Sequence, residues 1–254
     1  MFARPSGIVS LTTDFGPADP YVGIMKGALL RASNKVQVVD LGHGVAAQDV
    51  AAGAFQLWSA IGRFPDGTVQ VGVVDPGVGT ARRVVGAAAH GQYWLAPDNG
   101  LLGAVLASDP AAEVRELDLE HLRVQRQART FDGRDVFAPV AAFLATGRYG
   151  FSALGPRVQD MDADDPVFGG ADRVVHVDHY GNLITNVPAD RCRDARIEVG
   201  GRTIALQATY GDVAEGELLA YVGSFGLLEV AARDGSAATV LGIGRGAPVA
   251  LANP

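Results

Sequence analysis

GIVSLTTDFGPADPYVGIMKGALLRAS, residues 7–33, changes its hydrophobic period halfway along. Its first half is a short apolar run, rich in β-branched residues, that ends in a polar turn. That pattern reads as a buried strand. From Tyr21 the apolar residues recur at helical spacing, with Val22, Met25, Leu29 and Leu30 near one face. The unit then repeats. KVQVVDLGHG (35–44) is a second strand, DVAAGAFQLWSAIGRF (49–64) a second helix capped by Asp49, and TVQVGVVDPGVG (68–79) a third strand. Phe55 and Trp58 fall in the helical pattern as core residues. The alternation predicts a mainly parallel sheet with helices packed on it.

RRVVGAAAHGQYWLAPDNG (82–100) reads as a strand pair turning at HGQ, and DVFAPVAAFLATG (135–147) as a further helix. Beyond residue 155 the texture changes. QDMDADDPVFGGAD (159–172) is acidic and punctuated by Pro and Gly, as in a linker. Short β-like segments separated by glycine turns follow, which suits a small antiparallel sheet or barrel. The expectation is an α/β protein with two domains. Residues 1–168 form the mainly parallel sheet with flanking helices, and 169–254 a smaller, antiparallel, barrel-like β-rich domain.

The totals narrow the function classes. With 254 residues, 48% hydrophobic and 19% charged, the chain is long and apolar enough for a substantial core. A net charge of −7 argues against a sequence-independent nucleic-acid surface. A single cysteine, Cys192, excludes an internal disulfide framework. Lying between two arginines, Cys192 can have a lowered pKa, but a passive thiol is the expectation. The start has no apolar run of signal-peptide length and no segment reaches a membrane span, so a cytoplasmic protein without a membrane partner is expected. The five histidines show no metal-ligand spacing, so no metal is expected.

Three successive strands end in loops bearing Asp14, Asp40 with His43, and Asp75. Ligands of open α/β sheets bind outside the carboxyl ends of strands. An ionised Asp14 can accept two ribose hydroxyls, or simply make an Asx turn. In VVDPGVGTARR (73–83), Pro76, Gly77 and Gly79 force a tight loop. That loop brings Arg82 back toward Asp75, either to orient a water or to staple the loop. Asp98-Asn99-Gly100 is a turn. In ARTFDGRDVFAPV (128–140), Asp132, Arg134 and Asp135 precede an apolar helix and can cap it or line a pocket. In VDHYGNLITN (177–186), Asn182 and Asn186 offer amide edges suited to a purine, or a hairpin turn.

Singly these signals are weak, but TTDFG, DPYVGIMKG, VVDPGVGT, APDNG, TFDGRDVFAPVAA, DHYGNLITN and GSFGLLEVA occur together and in this order from about residue 9 to 236. As an ordered set they resemble the S-adenosylmethionine (SAM) hydroxide adenosyltransferases, adenosine-forming SAM hydrolases related to fluorinase and chlorinase. The resemblance implies a homotrimer with SAM sites between neighbouring subunits, no cofactor, and SAM, adenosine and L-methionine as ligands. It implies that Asp14 binds the ribose hydroxyls, that Asp19 and Tyr21 lie near the methionine end, and that Asp178 and Ser224 hold the amino-acid moiety. Asn182 corresponds to the adenine-reading amide. Asp75 and Arg82 correspond to two members of an Asp-Arg-His group that activates water.

The third member differs: the family's histidine is here Asp132. Phe131 and Asp132 are expected to face the ligand while GRD and FAP turn and cap the helix. Gln48 stands where relatives carry an aromatic residue, and Phe225 where the halogenases carry arginine. Gly133 lacks the hydroxyl with which fluorinases donate to halide, and Asp75 replaces their tyrosine, which favours water as nucleophile. The expected activity is hydrolysis of SAM to adenosine and L-methionine. The alternatives are a SAM- or adenosine-binding protein with little turnover, or a related nucleoside enzyme with another nucleophile.

Overall fold

The computed structural model describes residues 2–161, 164–192 and 195–252. Asp162 and Ala163 of the acidic stretch, and Asn253 and Pro254 of the last β-like segment, lie outside the described residues. The chain divides into two compact units, Met1–Pro166 and Val167–Pro254.

The first unit is built on a six-stranded sheet. Its strands are β1 (Ile8–Thr13), β2 (Gln37–Gly42), β3 (Val69–Val73), β4 (Val84–Ala89), β5 (Gln92–Pro97) and β6 (Glu113–Glu116), in the order β2-β1-β3-β5-β4-β6. Pairings across β2-β1-β3-β5 are parallel, whereas β4 runs antiparallel to both β5 and β6. Every residue of β3 and β5 is buried, as expected of strands covered on both faces. The β4–β5 reversal uses His90 and Gly91, both at positive φ (53° and 72°), the backbone that a two-residue hairpin requires.

Helices α1 (Tyr21–Ala32), α2 (Val50–Ser59), α3 (Gly103–Ala107) and α4 (Ala138–Ala145) surround the sheet. Asp49 caps α2, its Oδ1 accepting from the Ala52 amide at 3.0 Å. Phe55 is buried and Trp58 half-buried against it, with ring centroids 6.0 Å apart. Gly72 in β3 lets α2 approach, because a Cβ there would stand 2.6 Å from Leu57 Cδ1. On α1 the expected apolar face is narrower than the spacing suggests. Met25 and Leu29 are buried, but Leu30 is 49% exposed, since one further residue turns the side chain about 100° away from the core. Met25 and Leu29 join Val9, Leu11, Val71 and Phe137 in the principal core cluster.

In the second unit the paired strands all run antiparallel, beside an isolated parallel bridge between Leu206 and Ala220. β7 (Val174–Val177), β8 (Leu183–Pro188), β11 (Leu218–Val222) and β12 (Leu227–Ala232) form a four-stranded sheet in the order β11-β12-β8-β7. β9 (Arg196–Val199), β10 (Arg202–Ala205) and β13 (Val249–Ala252) form a three-stranded one. Its core draws Val174, Leu183, Leu228 and Val230 from the first sheet and Ile197, Ile204 and Val249 from the second. Helix α5 (Ala237–Leu241) closes the unit, with Ser236 as its cap. Cys192 is buried there, its thiol donating to the Pro188 carbonyl at 3.4 Å. Burial pushes that thiol above its ordinary pKa, contrary to the lowering that flanking arginines suggest. Among the described residues no helix is long and apolar enough to cross a membrane.

Truncating the buried member of the Leu29–Leu30 pair is expected to be the costly one. Leu29→Ala should lose about 2–5 kcal/mol, and Leu30→Ala no more than about 0.5 kcal/mol. Both tryptophans, Trp58 and Trp94, report on the first unit, so urea unfolding followed by their fluorescence measures the difference.

Candidate active site

The carboxyl ends of β1 and β3 open into a cavity of about 370 Å³ whose lining includes Asp14, Tyr21, Asp75, Phe131, Asp132 and Gly133. Asp14 follows β1 directly. Its Oδ2 accepts the Gln48 amide at 2.8 Å, and Gln48 itself holds φ at +66°, a conformation rarely adopted outside glycine. The β3 loop doubles back as expected. Arg82 Nε donates to Asp75 Oδ1 at 2.7 Å, and its Nη2 donates to both Asp75 Oδ2 and, at 2.7 Å, Asp132 Oδ2. Asn99 steadies the same strand end by donating to the Val74 carbonyl at 2.9 Å. Asp98 accepts from Arg83 at 2.7 Å, so the DNG turn also braces the site.

Asp132 reaches this cluster from 50 residues along the chain. A π-helical turn, Gly133–Phe137, precedes α4, and the Arg134 and Asp135 amides both return to the Phe131 carbonyl. Neither Asp132 nor Asp135 caps the helix, which corrects that expectation. Asp135 instead folds back on the preceding loop, where its Oδ2 accepts the Gln127 and Ala128 amides at 2.8 and 2.9 Å while Arg134 pairs with both its oxygens. A helix already begun by a π-turn leaves those carboxylates free for other donors. Phe131 does line the cavity. It meets Tyr21 edge-on at 5.5 Å and Phe15 at 5.8 Å, and the Arg134 guanidinium lies 5.0 Å from its centroid on the ring face.

Sequence reading missed Arg126. Its Nε donates to Asp132 Oδ1 at 2.7 Å and its Nη2 to Oδ2 at 3.2 Å. The available signal was the basic run RVQRQAR (123–129) just before the acidic motif. The side chains of Asp75, Asp132 and Arg82 are 5%, 2% and 9% exposed, so this is a buried charge cluster. Burial by itself would lower the Arg82 pKa, but the bonds to Asp75 and Asp132 more than offset it and hold the guanidinium above its ordinary range. Three carboxylates (Asp14, Asp75, Asp132) against two guanidiniums leave the cavity one negative charge in excess, which favours a cationic ligand.

The other expected residues distribute as follows. Asp19 is exposed and does not line this cavity. Asp40 pairs with Lys26 at 2.6 Å, and His43 turns its Nδ1 to the Thr13 hydroxyl at 2.9 Å, so neither points into it. In the second unit, Asp178 and Asn182 bracket the β7–β8 turn and bond side chain to side chain at 2.8 Å. Asn182 lines a separate cavity of about 700 Å³ with Tyr180 and Tyr210. Asn186 does not; its amide braces Arg173 and Ala171. Ser224 is exposed in the β11–β12 turn and is not part of that lining. Among the described residues no group of three or more His, Cys, Asp or Glu side chains is gathered to hold a metal ion.

The chain as a whole has known relatives. Residues 9–155 match the SAM hydroxide adenosyltransferase N-terminal domain and residues 172–250 the C-terminal domain of the same family. The chain therefore belongs to the SAM hydroxide adenosyltransferase family. It is 41% identical to a protein of Thermus thermophilus named (R)-S-adenosyl-L-methionine hydrolase, over 96% of this chain and 98% of that one. A Salinispora tropica protein of the same name is 38% identical over 94% and 95% of the two chains. The crystal structure of an uncharacterized conserved protein from Thermotoga maritima superposes with a TM-score of 0.88 at 33% identity, covering 97% of this chain and all of the other.

Asp135 makes the local structure acid-sensitive. Burial pushes its carboxyl up, but the bonds from Arg134, Ala128 and Gln127 outweigh that and leave its folded-state pKa lowered. A carboxyl lowered on folding contributes stability above its unfolded pKa of about 3.9. That contribution is lost as pH falls through the folded value. Asp135→Asn should therefore be less stable than the native chain at neutral pH, with the gap closing in acid below the unfolded value; paired denaturant titrations at pH 7 and pH 3 measure it.

Proposed function

We propose that the chain hydrolyses SAM to adenosine and L-methionine, as a cytoplasmic homotrimer. The observation that carries this reading is the Asp75–Arg82–Asp132 cluster on the wall of an anionic cavity beside Asp14, in a chain of this family. In the reaction, water attacks the ribose C5′ opposite sulfur. The C5′–O bond forms as C5′–S breaks, the bonding pair leaves with sulfur as the methionine thioether, and one water proton passes to a base. The sulfonium is already a good leaving group, so the protein's task is to orient one water and exclude others.

A count of lone pairs supports one division of roles. A carboxylate offers about four acceptor sites. Asp132 has three filled by Arg82 and Arg126, whereas Asp75 has two filled, both by Arg82. Asp75 is thus the more open acceptor and takes the water proton. Asp132 stands at the family's histidine position as the counter-ion that fixes Arg82, and Arg126 balances its charge. Asp14, one oxygen already held by the Gln48 amide, binds the ribose hydroxyls. Tyr21 and Phe131 wall the cavity, and Gly133 has no side-chain donor for a halide. On the family resemblance alone, we assign Asp19, Asp178 and Ser224 to the methionine moiety. Asn182, between Tyr180 and Tyr210, contacts the adenine, whose faces suit aromatic stacking.

Incubation with SAM in isotopically labelled water, with chromatography of the products, tests this. Label in the adenosine 5′-oxygen is the expected result, and tight SAM binding without product would favour a binding protein instead. Asp75→Asn should lower kcat by about 10²–10⁴-fold. Asp132→Asn, which removes only the counter-ion, should lower it by roughly 10-fold, about 1.4 kcal/mol of barrier. If Asp132→Asn is the more damaged of the two, the base is Asp132.

A further inference from the structure

The second unit buries an acidic side chain that the proposed reaction does not use, and burial pushes its carboxyl above the ordinary range. Glu229 sits on β12 between Leu228 and Val230 and is 5% exposed. Across the β11–β12 ladder it is paired with Tyr221, whose hydroxyl donates to Glu229 Oε2 at 2.5 Å. A side chain at residue 223 would collide with this carboxyl, since a Cβ there would lie 1.8 Å from Oε1, so Gly223 leaves the space that Glu229 occupies. The Tyr221 hydroxyl is 2.8 Å from that of Tyr210, and Tyr210 in turn receives Asn182 Nδ2 at 3.1 Å. The same Nδ2 donates to Asp178 Oδ2 at 2.8 Å. Asp178 Oδ1 accepts the backbone amides of Tyr180 and Asn182.

This chain of bonds has one direction. A phenol carries one proton. Tyr221 gives its proton to Glu229, so between the two tyrosines Tyr210 is the donor. Its oxygen then turns lone pairs, not a proton, toward Asn182. Burial first, and then the bond to Glu229, push Tyr221 far above the ordinary phenol range, so it stays a protonated donor. On the other side, the Asp178 carboxylate only accepts, which requires the amide nitrogen of Asn182 there. Both amide protons of Asn182 are thereby spent inside the unit. The group it has left to offer a ligand is its carbonyl Oδ1.

We propose that Glu229 and Tyr221 are positioning residues that hold Tyr210 and Asn182 in this one-way chain, so that the cavity takes a purine bearing an amino donor and rejects one bearing an oxo acceptor at the same edge. The inference rests on the reading of Asn182 as the base-contacting residue. An oxo group opposite Oδ1 sets acceptor against acceptor, with no proton available from Tyr210 to relieve it. Removing the Tyr221 hydroxyl, or the Glu229 acceptor behind it, frees a proton to turn toward the cavity.

Calorimetric titration of the full chain with adenosine and with inosine, which differ at that edge, tests the idea. The native chain should prefer adenosine by on the order of 10- to 100-fold. In Tyr221→Phe and in Glu229→Leu that ratio should fall roughly tenfold toward parity. A merely structural role would weaken both nucleosides alike and leave the ratio where it was. An unchanged ratio in whichever variant folds, judged by circular dichroism, overturns the proposal, as does a native chain without preference. Asn182→Ala separates this failure from that of the underlying reading: if it binds adenosine like the native chain, Asn182 does not contact the base and both fall.

Discussion

Arg82 is held between two buried carboxylates that arrive on different loops, Asp75 from the end of β3 and Asp132 from the turn before α4. Such a guanidinium cannot be removed cheaply, since breaking a buried ion pair from one side typically costs about 3–5 kcal/mol. The loops around it are arranged accordingly. Gly77 and Gly79 let the β3 loop reverse, Asn99 ties the strand end at Val74, and Asp135 pins residues 127 and 128 beside Arg126. Arg126 then closes the cluster from the far side of Asp132.

This explains how the chain accommodates an acid at the position where the family resemblance expects histidine. Two carboxylates facing each other without compensation would repel, and burial would raise the cost further. Here each carboxylate shares Arg82, and Asp132 has a second guanidinium of its own. The exchange therefore involves Arg126, a residue outside the TFDGRD motif. The same logic of committed donors operates in the second unit, where hydrogen bonds link Glu229, Tyr221, Tyr210 and Asn182 in series.

Much of this was legible in the sequence. The change of period between Thr13 and Tyr21 marks a strand feeding a helix, and the acidic strand ends mark the mouth of the cavity. Asp49 was readable as a cap because it stands directly before an apolar helical run. Other features were not readable, for definable reasons. Leu30 belongs to the helical pattern at the resolution of periodicity, yet 100° of rotation takes it to the surface. Asp135 precedes an apolar helix as a cap would, but a π-turn had already begun that helix. The Glu229 charge inside LLEVAA was visible; its partner Tyr221 required the strand register.

The sequence by itself determined the parallel-then-antiparallel order of elements, the family, and the residue types available to the site. Those follow from local periodicity, turn chemistry and an ordered set of motifs, all of which are properties of neighbouring residues. Only the tertiary structure decided which of those residues meet. Arg126 finds Asp132 through a loop held by Asp135, Asp40 and Asp19 are left out of the cavity, and the Asn182 side-chain nitrogen is taken up by Asp178 and by Tyr210, 28 residues away. Hydrogen bonds and buried ion pairs act over about 3 Å in space with no preference for closeness in sequence, so their pairing is specified by packing alone.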